Sequence, residues 1–170
     1  ARAGIASRRA AEELIKEGRV KVNGTVATIG TKVDADADVI TVGGRRITQN
    51  KPVWIALHKP VGYVVTKRDP EGRQTIFEMV PHVPGLTYVG RLDVMTSGLL
   101  LLTNDGEAAH RLMHPRFEVE RSYRVVVHGK SEARIKAAFS KPIIIEGRAV
   151  NVKTMKMRPA RAKSIELLLV

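Results

Sequence analysis

An acid and a base lie two residues apart in a loop that leads into a leucine-rich strand. The pair is Arg91 and Asp93, and the strand is predicted at Leu99 to Leu102. Because alternate side chains of an extended segment point the same way, Arg91 and Asp93 are expected on the same side of the loop. A guanidinium there favours the ionised carboxylate that a nucleophile requires. From spacing alone, however, a structural ion pair that steadies the loop is the more common arrangement.

Other residue types that carry chemistry give weaker patterns. His110 and His114 share a predicted helix at a spacing that can bind zinc, but the zinc-protease pattern needs glutamate where this chain has Arg111. Ser97 lacks the flanking glycines of a hydrolase nucleophile. The chain has no cysteine, which excludes disulfides and thiolate sites and fits a reducing cytosol. It also has no glycine-rich phosphate loop, so nothing supports a nucleotide cofactor.

The charge of the chain favours a polyanionic partner. Its 170 residues include 29 Lys and Arg against 17 Asp and Glu, a formal net charge of +12. The basic residues cluster, most clearly in a stretch that contains Arg148, Lys153, Lys156, Arg158, Arg161 and Lys163. Clustered cations that neutralise phosphates favour nucleic acid over a membrane surface. Aromatic residues make up only 4%, too few for a broad base-stacking platform, so a reader of the nucleic-acid backbone with one special pocket is expected.

Two groups of basic residues are candidates for nucleic-acid contact. Arg8 and Arg9 begin a predicted helix, where the helix dipole and two guanidiniums together favour phosphate. Farther along, alternation along a predicted strand puts Tyr123 and Arg121 on one face and Arg124 on the other. A tyrosine beside an arginine can stack on an extruded base, although the residues alone are more typical of a core tyrosine.

The predicted elements indicate an α+β fold. A helix over Arg8 to Glu17, capped by Ser7, and a hairpin at Asn23-Gly24 form a small N-terminal unit. The remaining predictions are strands at Trp54–Leu57, Tyr63–Thr66, Leu99–Leu102, Tyr123–Val127, Ile143–Ile145, Val150–Met157 and Ile165–Val170, and helices at Thr75–Val80, Glu107–Met113 and from Ser131 to about Phe139. Strands and helices mix without regular βαβ spacing, so a mostly antiparallel sheet is expected.

The chain divides into two predicted domains. Residues 1–48 form the small unit, 49–52 a linker that ends in proline, and 53–170 the larger domain. No run approaches the roughly 20 apolar residues of a membrane helix. Because the sequence starts at Ala1 and ends within an apolar run, it is interpreted as a fragment trimmed at both ends.

The segment from Gly90 to Gly106 resembles the catalytic motif of the bacterial rRNA pseudouridine synthases of the RsuA and RluB type. The matching residues are Gly90-Arg91-Leu92-Asp93, Thr96, Gly98, Leu99 to Thr103 and Asp105-Gly106. The stretch from His58 to Tyr63 is similar to the Lys-Pro-x-Gly motif of that family, and Arg121 to Val125 looks like its tyrosine strand. Residues 1–47 resemble the RNA-binding domain named after small-subunit ribosomal protein four.

The resemblance implies a function and a set of site residues. It implies that a specific uridine of ribosomal RNA, in the large subunit, is isomerised to pseudouridine. Asp93 would be the catalyst, Arg91 its partner and Tyr123 the side chain that stacks on the uracil. The expected RNA-binding residues are Arg8, Arg9, Lys21, Arg121 and Arg124. No cofactor and no metal are needed, because the reaction is neither a redox step nor a net hydrolysis.

The same resemblance sets expectations about the state of the protein. A cytoplasmic monomer with ribosomal RNA as its partner, and no membrane partner, is expected. Three roles of the carboxylate stay open: attack on carbon 6 of the base, attack on the anomeric carbon, or removal of a ribose proton. The family continues past a strand like Leu167 to Val170 into a segment that completes its pocket, which this chain lacks. The alternative function is a non-catalytic rRNA-binding or ribosome-assembly factor. A third possibility is a basic structural domain without a role in RNA binding.

Overall fold

The protein forms two compact units, Ala1–Phe117 and Glu118–Val170. A computed structural model describes residues 3–34, 37–145, 147–150, 152–159 and 164–170, and of residues 145, 148 and 150 only the backbone. Among these residues no helix has the length and apolar composition needed to span a bilayer. Arg161 and Lys163 of the predicted basic stretch lie outside the described residues, as does the side chain of Arg148.

The first unit begins with a helix on a small sheet. Its elements are α1 Arg8–Lys16, β1 Val20–Val22, β2 Thr25–Val26, β3 Ile40–Val42 and β4 Arg45–Ile47, and the strands run antiparallel in the order β2-β1-β3-β4. Ser7 caps α1 by accepting a hydrogen bond from the amide of Ala10 at 3.2 Å. Asn23 and Gly24, at φ of 50° and 84°, form the tight turn that joins β1 to β2. The predicted helix and hairpin are therefore confirmed.

A second sheet follows in the same unit and carries its core. It contains β5 Trp54–Lys59, β6 Thr87–Val89 and β7 Gly98–Thr103, antiparallel in the order β5-β7-β6. Helix α2, Gly106–Met113, follows β7, and short 3₁₀ turns lie at Ile76–Met79 and Pro115–Phe117. The buried side chains of this core are Val65, Ile76, Leu86, Leu100 and Leu102. Burial of these apolar groups is the main stabilising contribution of the sheet.

The second unit has a three-stranded sheet and a hairpin. Its elements are β8 Tyr123–His128, α3 Glu132–Phe139, β9 Ile143–Ile145, β10 Arg148–Val150, β11 Met155–Pro159 and β12 Ser164–Leu169. The sheet runs antiparallel in the order β11-β12-β8, and β9 pairs with β10. Together with the first unit this gives the α+β architecture with antiparallel pairing that the sequence predicts.

Two predicted strands differ from the structure. The prediction of one strand over Val150 to Met157 is wrong, because β10 and β11 are separate and the amides of Lys153 and Thr154 both donate to the carbonyl oxygen of Val170. The segment from Tyr63 to Thr66 forms only a single bridge, between Val64 and Thr75. Its apolar residues serve the core instead, since Val65 is buried there.

The N-terminal helix and sheet are attached to the second sheet through the linker. The Asn104 side chain accepts a hydrogen bond from the amide of Val53 at 2.8 Å and donates one to the carbonyl of Lys51 at 3.0 Å. Gly4, at φ of +72°, approaches so closely that an added Cβ would lie 2.7 Å from the Cβ of Pro84. These contacts hold the linker and the N-terminal residues around Gly4 against the second sheet.

Replacing Asn104 with leucine tests this attachment. The variant loses both linker bonds and leaves a backbone amide and a carbonyl without their partner, so the free energy of unfolding should fall by about 1–3 kcal/mol. Urea unfolding followed by circular dichroism measures the change. Gln49→Ala, on the exposed part of the linker, is the control and should change stability by less than about 0.5 kcal/mol. Equal stability of Asn104→Leu and the unmodified chain would show that the linker is held by other contacts.

Candidate functional site

Asp93 lies on the loop that joins β6 to β7. Its side chain is exposed, as is that of Arg91, while Leu92 between them packs against the core. The loop starts at Gly90, whose φ of +76° lies in the left-handed region, and the amide of Thr96 donates to the Asp93 carbonyl at 2.9 Å. Alternating exposure therefore places the carboxylate of Asp93 on the surface while its neighbour anchors the loop below.

A buried lysine holds the backbone of this loop. Lys59 is fully buried at the end of β5, and its Nζ donates to four carbonyl oxygens. One is the neighbouring Pro60, at 3.0 Å. The other three belong to the loop: Asp93 at 3.0 Å, Val94 at 3.3 Å and Thr96 at 2.8 Å. A charged donor gives hydrogen bonds stronger than those of neutral amides, so Lys59 determines the path of the loop.

The position of Lys59 follows from the pattern of β5. Ile55, Leu57 and Lys59 alternate inward along the strand, and the residue opposite Lys59 on β7 is Gly98, which has no side chain. Burial lowers the pKa of Lys59, and the nearby carboxylate of Asp93 opposes that effect. Lys59 thus lies beneath the loop, close enough for the carboxylate of Asp93 to stabilise its charge.

The expected ion pair between Arg91 and Asp93 is not formed in the structure. Both side chains belong to the described residues and are exposed, and no hydrogen bond or salt bridge joins them. An exposed pair in water gains little from closing, because solvent screens the attraction and both side chains lose rotamer freedom. Sequence reasoning placed the two residues on the same side correctly, but it assigned the cation of Asp93 to Arg91 and missed Lys59.

Tyr123 and Arg124 lie in the second unit, on β8. Tyr123 is opposite Leu169 of β12 and is 47% exposed. Arg124 points to the other face, where its guanidinium forms a salt bridge with Glu166 at 2.8 Å. Arg121 precedes the strand and is exposed. The predicted alternation of Tyr123 and Arg124 is therefore confirmed, and Arg124 already has an acidic partner in its own unit.

The N-terminal candidates for RNA contact are all on the surface. Arg8 and Arg9 lie in the first turn of α1, and Lys21 is the exposed middle residue of β1. None of the three is part of the apolar core of its unit. Their roles in binding stay predictions.

The two histidines of α2 contact each other through their rings. The ring centroids of His110 and His114 are 4.8 Å apart, and Phe117 meets both rings edge-on at 6.4 and 6.3 Å. Among the described residues no group of three or more His, Cys, Asp or Glu side chains is arranged to hold a metal ion. The histidines belong to an exposed aromatic cluster on the helix surface, in line with the sequence-based interpretation.

Comparison with known proteins identifies both the fold and the family of the chain. A solved structure described as a pseudouridylate synthase superposes on 96% of this chain and 71% of its own, with a TM-score of 0.57 and 28% sequence identity. Residues 1–39 match the S4 domain. The chain is therefore of the class of α+β proteins that join an S4 domain to a pseudouridylate synthase fold. Residues 53–168 match the RNA pseudouridylate synthase family, and the chain belongs to that family.

Curated relatives share most of this chain. A protein of Bacillus subtilis (strain 168) named ribosomal large subunit pseudouridine synthase B is 43% identical over 169 residues, which cover 98% of this chain and 66% of the relative. A protein of the same name from Pasteurella multocida is 44% identical over 92% of this chain and 48% of its own length. The chain thus spans about half to two thirds of the length of these relatives. The predicted linker, 49–52, lies between the two family matches.

Replacing Lys59 with methionine tests its role in the loop. Methionine keeps an unbranched apolar chain like the stem of lysine but lacks the ammonium group, so four carbonyl groups lose their donor. The free energy of unfolding should fall by about 3 kcal/mol, the upper part of the range for orphaned buried polar groups. Guanidinium unfolding measures it, and Lys51→Met, at an exposed lysine, is the matched control. A loss of less than about 0.5 kcal/mol would mean that the loop does not depend on Lys59.

Proposed function

We propose that the chain isomerises a specific uridine of large-subunit ribosomal RNA to pseudouridine, with Asp93 as the catalytic carboxylate. The observation that carries the proposal is the placement of Asp93. Its side chain is exposed on a loop whose backbone is held by Lys59, within the segment that belongs to the pseudouridylate synthase family. The names of the relatives support the large-subunit RNA as substrate.

The reaction needs an ionised group of fixed position. The bond between N1 of uracil and the anomeric carbon breaks, the base turns, and the anomeric carbon bonds to carbon 5. Carbon 5 loses its proton and N1 gains one, so no electrons and no water are consumed. A carboxylate contributes by attack on carbon 6, by attack on the anomeric carbon or by removing a ribose proton. The exposure of Asp93 suits each role, and the proposal includes neither cofactor nor metal.

The surroundings of Asp93 favour an unstacked base. Two large apolar side chains that follow Asp93 in the chain are exposed: Met95 is 79% and Leu99 68% exposed. A third, Val61, is brought to the loop because the amide of the next residue, Gly62, donates a hydrogen bond to the Val94 carbonyl. Taking a uridine out of its stack costs a few kcal/mol, and contact of its ring with apolar side chains offsets part of that cost. Exposed apolar groups at the rim of the loop therefore support a nucleotide as the group that Asp93 meets.

Two further residues complete the proposed site. When the uridine displaces water from the loop, Arg91 pairs with Asp93, because an ion pair strengthens as solvent is excluded. Tyr123 stacks on the uracil through its exposed ring. The proposed phosphate contacts come from Arg8, Arg9 and Lys21 in the first unit and from Arg121 and Arg124 in the second. The protein would act as a monomer in the cytoplasm, without a membrane partner.

Substituting Asp93 with asparagine tests the catalytic role. The substrate is a large-subunit rRNA transcript labelled with tritium at carbon 5 of uridine, because formation of the carbon–carbon bond releases that tritium to water. The variant should release it at least about 100-fold more slowly than the unmodified chain, since the amide neither ionises nor accepts a proton. RNA affinity should stay within about twofold, because one exposed carboxylate contributes no phosphate contact.

The matched control is Asp34→Asn, the same change at an exposed aspartate of the loop before β3. It should leave tritium release unchanged. Release at the normal rate by Asp93→Asn would exclude Asp93 as the catalyst. Salt-dependent RNA binding by the unmodified chain without any release of tritium would favour the alternative function, a non-catalytic rRNA-binding or assembly factor.

A further inference from the structure

A groove crosses the first unit between the N-terminal end of α1 and one face of α2. We call it the α1–α2 groove and define it by Arg8, Lys67, Gly85, Glu107, His110 and Met113, which line it. Its volume is about 980 Å³, at the upper end of the range of pockets that hold a ligand of nucleotide size. It does not include Asp93 or its loop, so it is separate from the candidate catalytic site.

The groove carries two available cations, Arg8 and Lys67, and an exposed imidazole, His110. Arg8, Lys67 and His110 come from three distant parts of the chain, and each is exposed. Neither Arg8 nor Lys67 has an acidic partner among the described residues. Glu107 is the acid that lines the groove, and its carboxylate forms a salt bridge with Arg111 at 2.8 Å. A groove of this charge complements a chain of phosphates.

Lys67 is held in place by the loop that carries it. Two residues along, Asp69 accepts two hydrogen bonds from the Arg73 guanidinium, at 3.0 and 2.8 Å, and a third from the Arg73 amide. These bonds hold the pKa of Asp69 below its usual value. On the N-terminal side of Lys67, the Thr66 hydroxyl donates a hydrogen bond to the carbonyl of Arg68 at 2.9 Å. The backbone on both sides of Lys67 is therefore braced, which fixes where its side chain leaves the loop.

The face of α2 that lines the groove continues into the aromatic cluster. His110 and Met113 line the groove, and the His110 ring contacts the rings of His114 and Phe117, which follow the end of α2. Phe117 meets the rings of His110 and His114 at 86° and 77°, so in each contact the edge of one ring lies on the face of the other. Arg116 adds a guanidinium 4.5 Å from the centre of the Phe117 ring. Aromatic and guanidinium planes of this kind stack on unpaired bases.

We propose that the α1–α2 groove is an RNA-binding site distinct from the catalytic loop. In this proposal Arg8, Lys67 and His110 bind consecutive phosphates of one RNA strand. The His114–Phe117 cluster stacks on an unpaired base where the strand leaves the groove. The proposal rests on the proposed function only in taking RNA as the ligand, and it adds a docking site that fixes which part of the RNA reaches the first unit.

The phosphate contacts are tested by charge reversal at Lys67. The probe is a fluorescein-labelled RNA hairpin of mixed sequence with a single-stranded loop, and its anisotropy gives Kd over a range of potassium chloride concentrations. Lys67→Glu should raise Kd about tenfold at low salt and reduce the slope of log K against log salt by about one. The control Lys141→Glu makes the same charge change at an exposed lysine after α3 and should change Kd less than twofold. Equal effects of the two variants would overturn the groove as a site.

The stacking contact is tested by Phe117→Ala with the same probe. Kd for the hairpin should rise about 5- to 100-fold while the salt slope stays unchanged, because a stacked base releases no counterions. For a fully paired duplex of the same length the variant should bind as the unmodified chain does. His114→Ala is a second variant in case Phe117→Ala fails to fold, which circular dichroism reports. Unchanged hairpin affinity in the folded variants would overturn the base contact.

The binding assay separates this proposal from the proposed function. If the unmodified chain releases tritium and Lys67→Glu binds RNA normally, the groove is excluded while the catalytic proposal stands. If Lys67→Glu loses affinity although the unmodified chain releases no tritium, the groove stands without the activity. If the catalytic proposal and the groove proposal are both right, Lys67→Glu should raise KM with little change in kcat. Asp93→Asn should instead lower kcat with little change in KM.

Discussion

The candidate site depends on one buried ammonium group. Lys59 lies beneath the β6–β7 loop and donates to carbonyl oxygens of Pro60, Asp93, Val94 and Thr96. A buried cation without partners would cost several kcal/mol, so the loop must keep these carbonyls turned inward. With the backbone fixed in that way, the side chain of Asp93 is directed outward. The same interaction thus removes the freedom of the loop and exposes the carboxylate, which is the kind of preorganisation that catalysis requires.

Helix α1 and the first sheet are held at a fixed position relative to the sheet that carries this site. The close approach of Gly4 to Pro84 and the two linker bonds of Asn104 attach α1 and its sheet to the sheet that carries Asp93. The attachment also creates the α1–α2 groove, since one wall comes from each side of the linker. Within the first unit, the proposed RNA contacts of the groove would therefore lie at a set distance from the loop that carries Asp93. In this unit the proposed binding residues and the proposed catalytic carboxylate are different side chains.

The sequence predicts the elements better than the contacts between them. Ser7, the Asn23-Gly24 turn and the alternation of β8 appear as expected, because each depends on residues close in the chain. The single predicted strand at 150–157 is wrong because its two ends pair with different strands, β10 with β9 and β11 with β12. Arg91, two residues from Asp93, forms no ion pair with it in the structure, and the buried lysine beneath the loop, Lys59, comes from another strand. The sequence did contain a signal for this buried lysine: Lys59 ends an apolar strand, and Gly98 begins the strand that pairs with it.

The most direct measurement of the central claim is a crystal structure of the Asp93→Asn protein with an RNA stem-loop that contains the substrate uridine. Because this variant should bind without turnover, the complex captures the nucleotide before reaction. The account predicts one uridine out of its stack, with a base or ribose carbon within about 3.5 Å of the residue-93 side chain. RNA bound in full with every uridine stacked, or with none within about 8 Å of that side chain, would contradict it.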